Sequence, residues 1–321
     1  MSGGIFIGGQ SSSTKMHYHW NKGIGCLLTL LLLSSCSREP DESVVVYTSQ
    51  DQVYAAEILR DFTIATGIEV LPLYDSESVK TTGLVNRLVA EKKKPRCDVF
   101  WSNEEMMVRR LARRSVLEEG SIRSFGYRTR RLVINTNRVA ASEIPKSLGE
   151  LVAPRWRGRV VMAYPLYGTT LTHLMALRAA WGTKDWQAWC RKLISNECKV
   201  VDGNSAVVAL VGRGDAWIGL TDSDDVGVGR NNGWPIRALA LAAEFPTIAN
   251  SAALVKEAPH RRNGEILLDY LSDDRTVNRL VEMGALEGTM WQAGGRLEPD
   301  WPRVLEGFEE AFDWLGETFF R

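Results

Sequence analysis

The sequence predicts an α/β protein built as two lobes, each an open, mainly parallel sheet flanked by helices. Three observations carry this. Short continuous apolar runs alternate with amphipathic segments in a β-α-β-α-β order from Val44 to Arg113. A second alternating series runs from Arg131 to Leu220. The chain has 321 residues, 45% hydrophobic and 24% charged, enough for one large domain or two medium ones.

That composition excludes a disordered chain, a collagen and a small disulfide scaffold. Lys plus Arg and Asp plus Glu each number 39, so the formal net charge is zero. A nucleic-acid partner is therefore not expected, because such proteins concentrate a basic excess on one face. Of four histidines, His17 and His19 fall in a presequence, leaving His173 and His260. A His-rich zinc or copper site is not expected.

Gly23 to Leu33 is an apolar run of 11 residues, too short to span a bilayer and suited to the core of a signal peptide. Lys15 and Lys22 supply its positive flank. The run ends in Leu33-Ser34-Ser35-Cys36, which resembles the bacterial lipobox. The expectation is a lipoprotein signal peptide over residues 1–35, lipid on Cys36 and a tether over 36–43. An ordinary secretory signal is the alternative, and Met16 is an alternative start. Removing residues 1–35 takes two lysines and no acids, leaving a charge of −2. Cys97, Cys190 and Cys198 remain. Cys190 and Cys198 could pair in an oxidising compartment, or all three could be buried thiols.

The elements follow in order. Val44 to Tyr47 is a strand buried on both faces. Ser49 can cap the next helix, with Gln52 as its capping-box partner. Tyr54, Ile58, Leu59 and Phe62 form its stripe, and Gly67 closes it as a left-handed cap. Ile68 to Leu73 is a strand. Leu84, Leu88 and Val89 mark a helix, Cys97 to Trp101 a strand and Glu104 to Arg113 a helix with a basic end. Arg131 to Thr136 and Arg159 to Met162 are strands. Gly168 opens a helix to about Ala180, and Asp185 to Leu193 is another. Lys199 to Val201 is a strand, Ser205 to Gly212 a helix and Ala216 to Leu220 a strand that ends in Thr221-Asp222-Ser223-Asp224-Asp225.

Open α/β sheets bind ligands beyond the carboxyl ends of their strands. The polar loops there are Thr48 to Asp51, including Ser49, and Ser102 to Glu104 beside Trp101. Asp51, Glu104, Asp222, Asp224 and Asp225 would form an oxygen cluster for a hard cation or an amine, or would simply cap helices. Changing Asp222 and Asp224 together to Ala is then expected to abolish cation binding and leave the fold intact. Gly168-Thr169-Thr170 opens a helix and suits an anion, with Arg130 as a possible guanidinium clamp. His173 is expected to pack rather than ligate. The acidic run fails the spacing of a calcium loop. No nucleophile elbow, zinc-protease motif, phosphate loop or dinucleotide fingerprint is present, so the protein is not expected to be an enzyme.

Four stretches together resemble the extracellular solute-binding proteins of ABC importers, of the ferric-iron-binding type. They are VVVYTSQDQVYAAEILRDFTIATGIEV, CDVFWSNE, SLGELVAPRWRGRVVMAYP and NSAALVKEAPHRRNGEILLDYLSD, and the resemblance spans about Val44 to Leu286. It implies the two-lobed type II periplasmic-binding-protein fold with a ligand cleft between lobes. Lobe 1 would hold residues 44–133 and 240–282, and lobe 2 residues 134–239 and 283–321. The crossings would lie near Leu132–Asn135 and Leu239–Thr247. A hinge would close the lobes on the ligand. The closed monomer would deliver it, on the periplasmic side, to an ABC permease with its ATPase. A lipid-anchored sensor could share the same cleft.

The resemblance places Asp51 where many ferric binders carry histidine, Asn103 where they carry glutamate, and Asn204 where an amide accompanies the anion. It also exposes a departure: the tyrosine pair expected after Ala216–Leu220 is absent. The implied ligand is iron(III) or another hard metal, held with a synergistic anion and with no cofactor beyond the Cys36 lipid. The alternative is an organic cation or polyamine, or a phosphonate or phosphorylated compound.

Overall fold

Strand β1 (Ser43–Thr48) lies between β2 (Glu69–Tyr74) and β3 (Val99–Ser102), parallel to both. The computed structural model describes residues 43–75, 82–241, 243–290 and 297–320. The signal-peptide and tether readings, Cys36 included, lie outside them. Helices α1 (Gln52–Thr66) and α2 (Thr82–Ala90) make the two crossovers, and α3 (Glu105–Arg113) follows β3. Helix α1 buries Ala55, Ile58, Leu59 and Phe62 and ends at Gly67, whose φ of 75° lets its amide reach the Thr63 carbonyl. The expected capping box does not form. Asp51 holds the N-cap position, and the Ser49 hydroxyl is spent across the sheet on Ser102 and Asn103.

Strand β4 (Arg123–Asn135) is 13 residues long and starts eight residues before the expected strand. Its first half, to Thr129, pairs antiparallel with β9 (Thr247–Leu254), which also pairs with β3. Its second half, from Arg130, pairs antiparallel with β7 (Ile218–Asp222) and, from Leu132, with β8 (Ile236–Leu239). Strand β5 (Val160–Ala163) lies parallel to β7 and to β6 (Lys199–Val201). The order is β2-β1-β3-β9-β4-β7-β5-β6, with β8 added on β4. Two mainly parallel halves thus meet on antiparallel β4 and β9. The change of partner falls between Thr129 and Arg130, ahead of the expected Leu132–Asn135.

Helices α4 (Gly168–Trp181), α5 (Thr183–Ser195), α6 (Asn204–Arg213) and α7 (Ser223–Asn231) belong to the second series, and α8 (Arg261–Ser272) and α9 (Asp274–Glu282) return to the first. Ala285 and Leu286 are buried in one cluster with Val44, Phe62 and Leu267. The stretch after α9 therefore packs on the first half before the chain reaches α10 (Trp301–Leu305) and α11 (Phe308–Phe320), where Trp314 meets Trp186. Cys97, Cys190 and Cys198 are free thiols, so the pairing of Cys190 with Cys198 is not made. No helix among the described residues is long and apolar enough to cross a membrane.

A bulge between Phe125 and Tyr127 bends β4 just before the change of partner. Gly126 sits in it with φ of 62°, and a β-carbon there would collide with the Leu286 side chain. Gly126→Ala therefore combines left-handed strain with overpacking and is expected to cost about 2–4 kcal/mol, read as a fall in the urea midpoint. A loss below the measurement error would mean that β4 can straighten there.

Candidate functional site

The carboxyl ends of β1, β3, β5 and β7 open on one cavity of about 50 Å³, room for a small ion or anion with a few waters. From the first half Asp51, Asn103 and Arg128 line it. From the second come Tyr164, Tyr167, the Gly168–Thr170 turn, Asp202 to Ser205, and Asp222, Asp224 and Asp225. Sequence-predicted residues from both halves thus converge here.

Beneath the cavity lies a buried ion-pair network. The β4–β7 register sets Arg130 opposite Asp222. The guanidinium donates to Asp222 Oδ1 at 2.8 Å, to Asn204 Oδ1 at 3.1 Å and to the Thr169 hydroxyl at 3.2 Å. Asp222 Oδ2 accepts from Thr169 at 2.6 Å and from Asn204 Nδ2 at 2.9 Å. Burial opposes ionisation of Asp222, but Arg130 and Arg128 outweigh it and hold this carboxyl below the usual range. Arg130 is fully buried and does not line the cavity. It organises Thr169, Thr170 and Asn204 rather than clamping a ligand itself.

Arg128, two residues earlier, takes the position at the wall. Its guanidinium donates to Asp224 Oδ2 at 2.6 Å and to the Asn103 carbonyl at 3.0 Å. Sequence reading missed it, although period-two alternation in a strand places 128 and 130 on one face. Burial pushes the Asp224 carboxyl up against the pull of Arg128, with Asp222 adding repulsion. Asp224 Oδ1 is buried with no hydrogen-bond partner among the described residues. Carboxylate oxygens of Asp222, Asp224 and Asp225 lie within 4.8 Å of one another, close enough to share one hard cation.

Four helix N-termini meet the same space. The N-cap residues of α1, α4, α6 and α7 are Asp51, Tyr167, Gly203 and Asp222, and none makes a side-chain cap. Their first-turn amides are therefore not satisfied from within by a cap, which suits an anion. Gly168 begins α4 with φ of 53° and open space where a β-carbon would stand, so its requirement is conformational.

Tyrosines do reach the site, from an unexpected loop. Tyr164 and Tyr167 follow β5 and stack on each other, with centroids 5.4 Å apart. Tyr164 also stacks on Phe320 of α11 at 4.5 Å. The signal lies in Met162-Ala163-Tyr164-Pro165-Leu166-Tyr167, whereas the resemblance points to the turn after β7.

Besides Arg130, three expected ligands do not line the cavity. The Trp101 ring is fully buried with Val44, Val46 and Leu267, because β3 is an inner strand covered on both faces. Ser49 is buried and bonds Ser102 at 3.2 Å and Asn103 at 3.3 Å, so it supports Asn103 rather than lining the cavity. Glu104 caps α3 through the Met107 amide and accepts from Thr172 at 2.9 Å. Burial lifts its carboxyl to about 7, and it does not line the cavity. His173 packs on Phe245 and bonds the Glu244 carbonyl at 2.8 Å. Burial, with the charge of Arg130, pushes its imidazole down to about 3.

The chain is 24% identical over 280 residues to iron uptake protein A1 of Synechocystis, covering 75% of this chain and 76% of that protein. Its fold is similar to that of iron-bound HitA from Pseudomonas aeruginosa, with a TM-score of 0.75 at 18% identity, covering 86% of this chain and 99% of that one. It is similar also to AfuA from Actinobacillus pleuropneumoniae with bound fructose-6-phosphate, at 0.73 and 14%, covering 87% and 99%. These neighbours share the type II periplasmic-binding-protein fold. The model of the bacterial extracellular solute-binding protein family matches residues 43–285, and the chain belongs to that family.

Proposed function

We propose that this protein captures iron(III) or another hard metal ion together with a small anion, as the binding component of an ABC importer. The carrying observation is that one cavity joins the Asp222–Asp224–Asp225 oxygen cluster to four helix N-termini without side-chain caps. Carboxylates and the phenols of Tyr164 and Tyr167 are hard donors for such a cation, and the amides take the charge of the anion. The relatives named for iron support the choice of metal. The protein binds and releases its cargo without chemistry. Lobe 1 comprises β1–β3, β9 and the first half of β4, and lobe 2 the second half of β4 with β5–β8. Rotation about the Thr129–Arg130 junction closes them. Secretion, lipid on Cys36 and delivery as a monomer to a permease and ATPase complete the reading.

A second reading is a phosphorylated organic ligand. Asp222 and Asp224 already carry guanidinium partners, which weakens them as metal ligands, while Arg128 lines the wall where a phosphate could sit. AfuA holds a sugar phosphate on the same fold.

Native mass spectrometry and iron titration with and without citrate separate the two. The expected result is one iron per chain, with citrate raising affinity. Asp225→Asn, at a partly exposed cavity residue, is expected to weaken iron binding about 10- to 100-fold. No iron uptake, together with saturable binding of a sugar phosphate that Arg128→Gln abolishes, would replace the first reading by the second.

A further inference from the structure

The molecule is neutral overall, but its charges are segregated along β1 and β3. Carboxylates gather around the cavity, Asp51 beyond β1 and Asp202, Asp222, Asp224 and Asp225 from the second half. The opposite edge is basic. The turn after α2 carries Lys92, Lys93 and Lys94 there, Arg96 follows just before β3, and α3 ends there in Arg113 with its cap Arg114. All six are exposed. The Lys92 ammonium donates to the Arg114 carbonyl at 2.7 Å, which joins the two helix ends into one patch. Lys256 adjoins it, since β9 ends beside Val99 and the Lys256 amide donates to the Val116 carbonyl at 2.9 Å. Arg262 opens α8 at the same edge.

Acids there are fewer and partly spent. Glu91 is engaged by Arg87 and Tyr47, and Glu118 by Arg261. Glu69, Glu119 and Glu257 are exposed. The chain also enters the fold at this edge. Ser43 begins β1, and its carbonyl accepts from Asn263 of α8 at 2.8 Å.

We propose that this basic edge is a membrane-docking surface for anionic phospholipid headgroups. The proposal takes up the reading of a lipid on Cys36. Seven residue steps separate Cys36 from Ser43, at most about 25 Å when fully extended. A lipid there brings the basic edge, and not the cavity, to the bilayer. One lipid signal plus a basic patch holds a protein on a membrane better than either alone. Docked this way the cavity is open for capture, and delivery to a permease then requires the chain to leave this surface and turn on its tether.

The test uses the full chain in lipid nanodiscs, of phosphatidylcholine alone or containing phosphatidylglycerol, with lysine acetylation read by mass spectrometry. Intact mass reports the Cys36 lipid separately from the patch. With phosphatidylglycerol, reactivity at Lys92, Lys93, Lys94 and Lys256 is expected to fall at least about fivefold, while Lys184 and Lys192 on α5 stay unchanged. Raised salt should restore it, because exposed charges are screened. Lys93→Gln/Lys94→Gln/Arg96→Gln/Arg113→Gln alters only exposed side chains. It should melt like the parent and lose the protection at Lys92 and Lys256. Equal reactivity in both lipids overturns the proposal, whatever the mass at Cys36. So does protection seen only in native membranes, which would assign the patch to an acidic protein.

Discussion

Asp222→Ala is expected to lower stability by about 3–5 kcal/mol. The substitution leaves the Arg130 guanidinium fully buried without its charge partner, and strands Thr169 and Asn204, which donate to the same carboxylate. Solvent cannot compensate, because the side chains of Arg130 and Asp222 are 0% and 2% exposed. Removing both charges should cost far less: Arg130→Met/Asp222→Leu keeps the volume and abolishes the desolvation penalty. Urea denaturation of the two singles and the double gives the coupling, expected at about 2 kcal/mol or more. A single substitution costing under about 1 kcal/mol would show that water enters and solvates the guanidinium.

The result corrects the expectation that Asp222 and Asp224 could both become Ala with the fold intact. Each anchors an arginine of β4, so loss of binding in that double variant would be confounded with unfolding. Asp225 is the cleaner probe of the cavity.

The second large effect is on pH dependence, where two neighbouring groups oppose each other. His173 is held neutral, its imidazole pushed from 6.5 down to about 3 by burial and by Arg130. Only the unfolded chain takes this proton between those values, so stability is lost as pH falls, by about 4 kcal/mol at pH 3. Glu104 is lifted by burial from 4.5 to about 7. Only the folded chain holds that proton between those values. Its contribution is therefore present at low pH and is lost as pH rises, by about 3 kcal/mol.

From about pH 4.5 to 6.5 the two slopes cancel, and this pair leaves stability nearly flat. Single substitutions should uncover each slope. His173→Gln retains a donor for the Glu244 carbonyl, and its stability should fall as pH rises towards 7. Glu104→Gln should show stability rising from pH 3 to 6.5. Melting temperatures across that range test this, and parallel curves for both variants would refute the opposition.

Much of the architecture was legible in the residues. Apolar periodicity marks β1 to α3 to within a few residues, and Gly67 closes α1 as read. These features depend on near neighbours in the chain, through side-chain period and backbone preference. The acidic turn after β7 and the Gly-Thr-Thr start of α4 were identified in the same way, as polar segments at strand ends.

What those residues do was settled by contacts far apart in sequence. Arg130 meets Asp222 across 92 positions because the β4–β7 register pairs them, and a slip of one strand by one residue would turn its member of the pair to the other face. Strand alternation then sends Arg128, two residues before Arg130, to the cavity wall. Trp101 lies near the ligand end of its strand, yet is in the core because α1 and α8 cover that face of β3. Glu104 reads as a ligand by composition, but its neighbour Thr172, 68 positions away, closes it off. Local pattern marks most elements up to Leu220, their order and the chemistry available at the strand ends. Which charges neutralise one another and which face the cavity is set by contacts between distant strands. Pairing of that kind depends on register and burial, which no local pattern encodes.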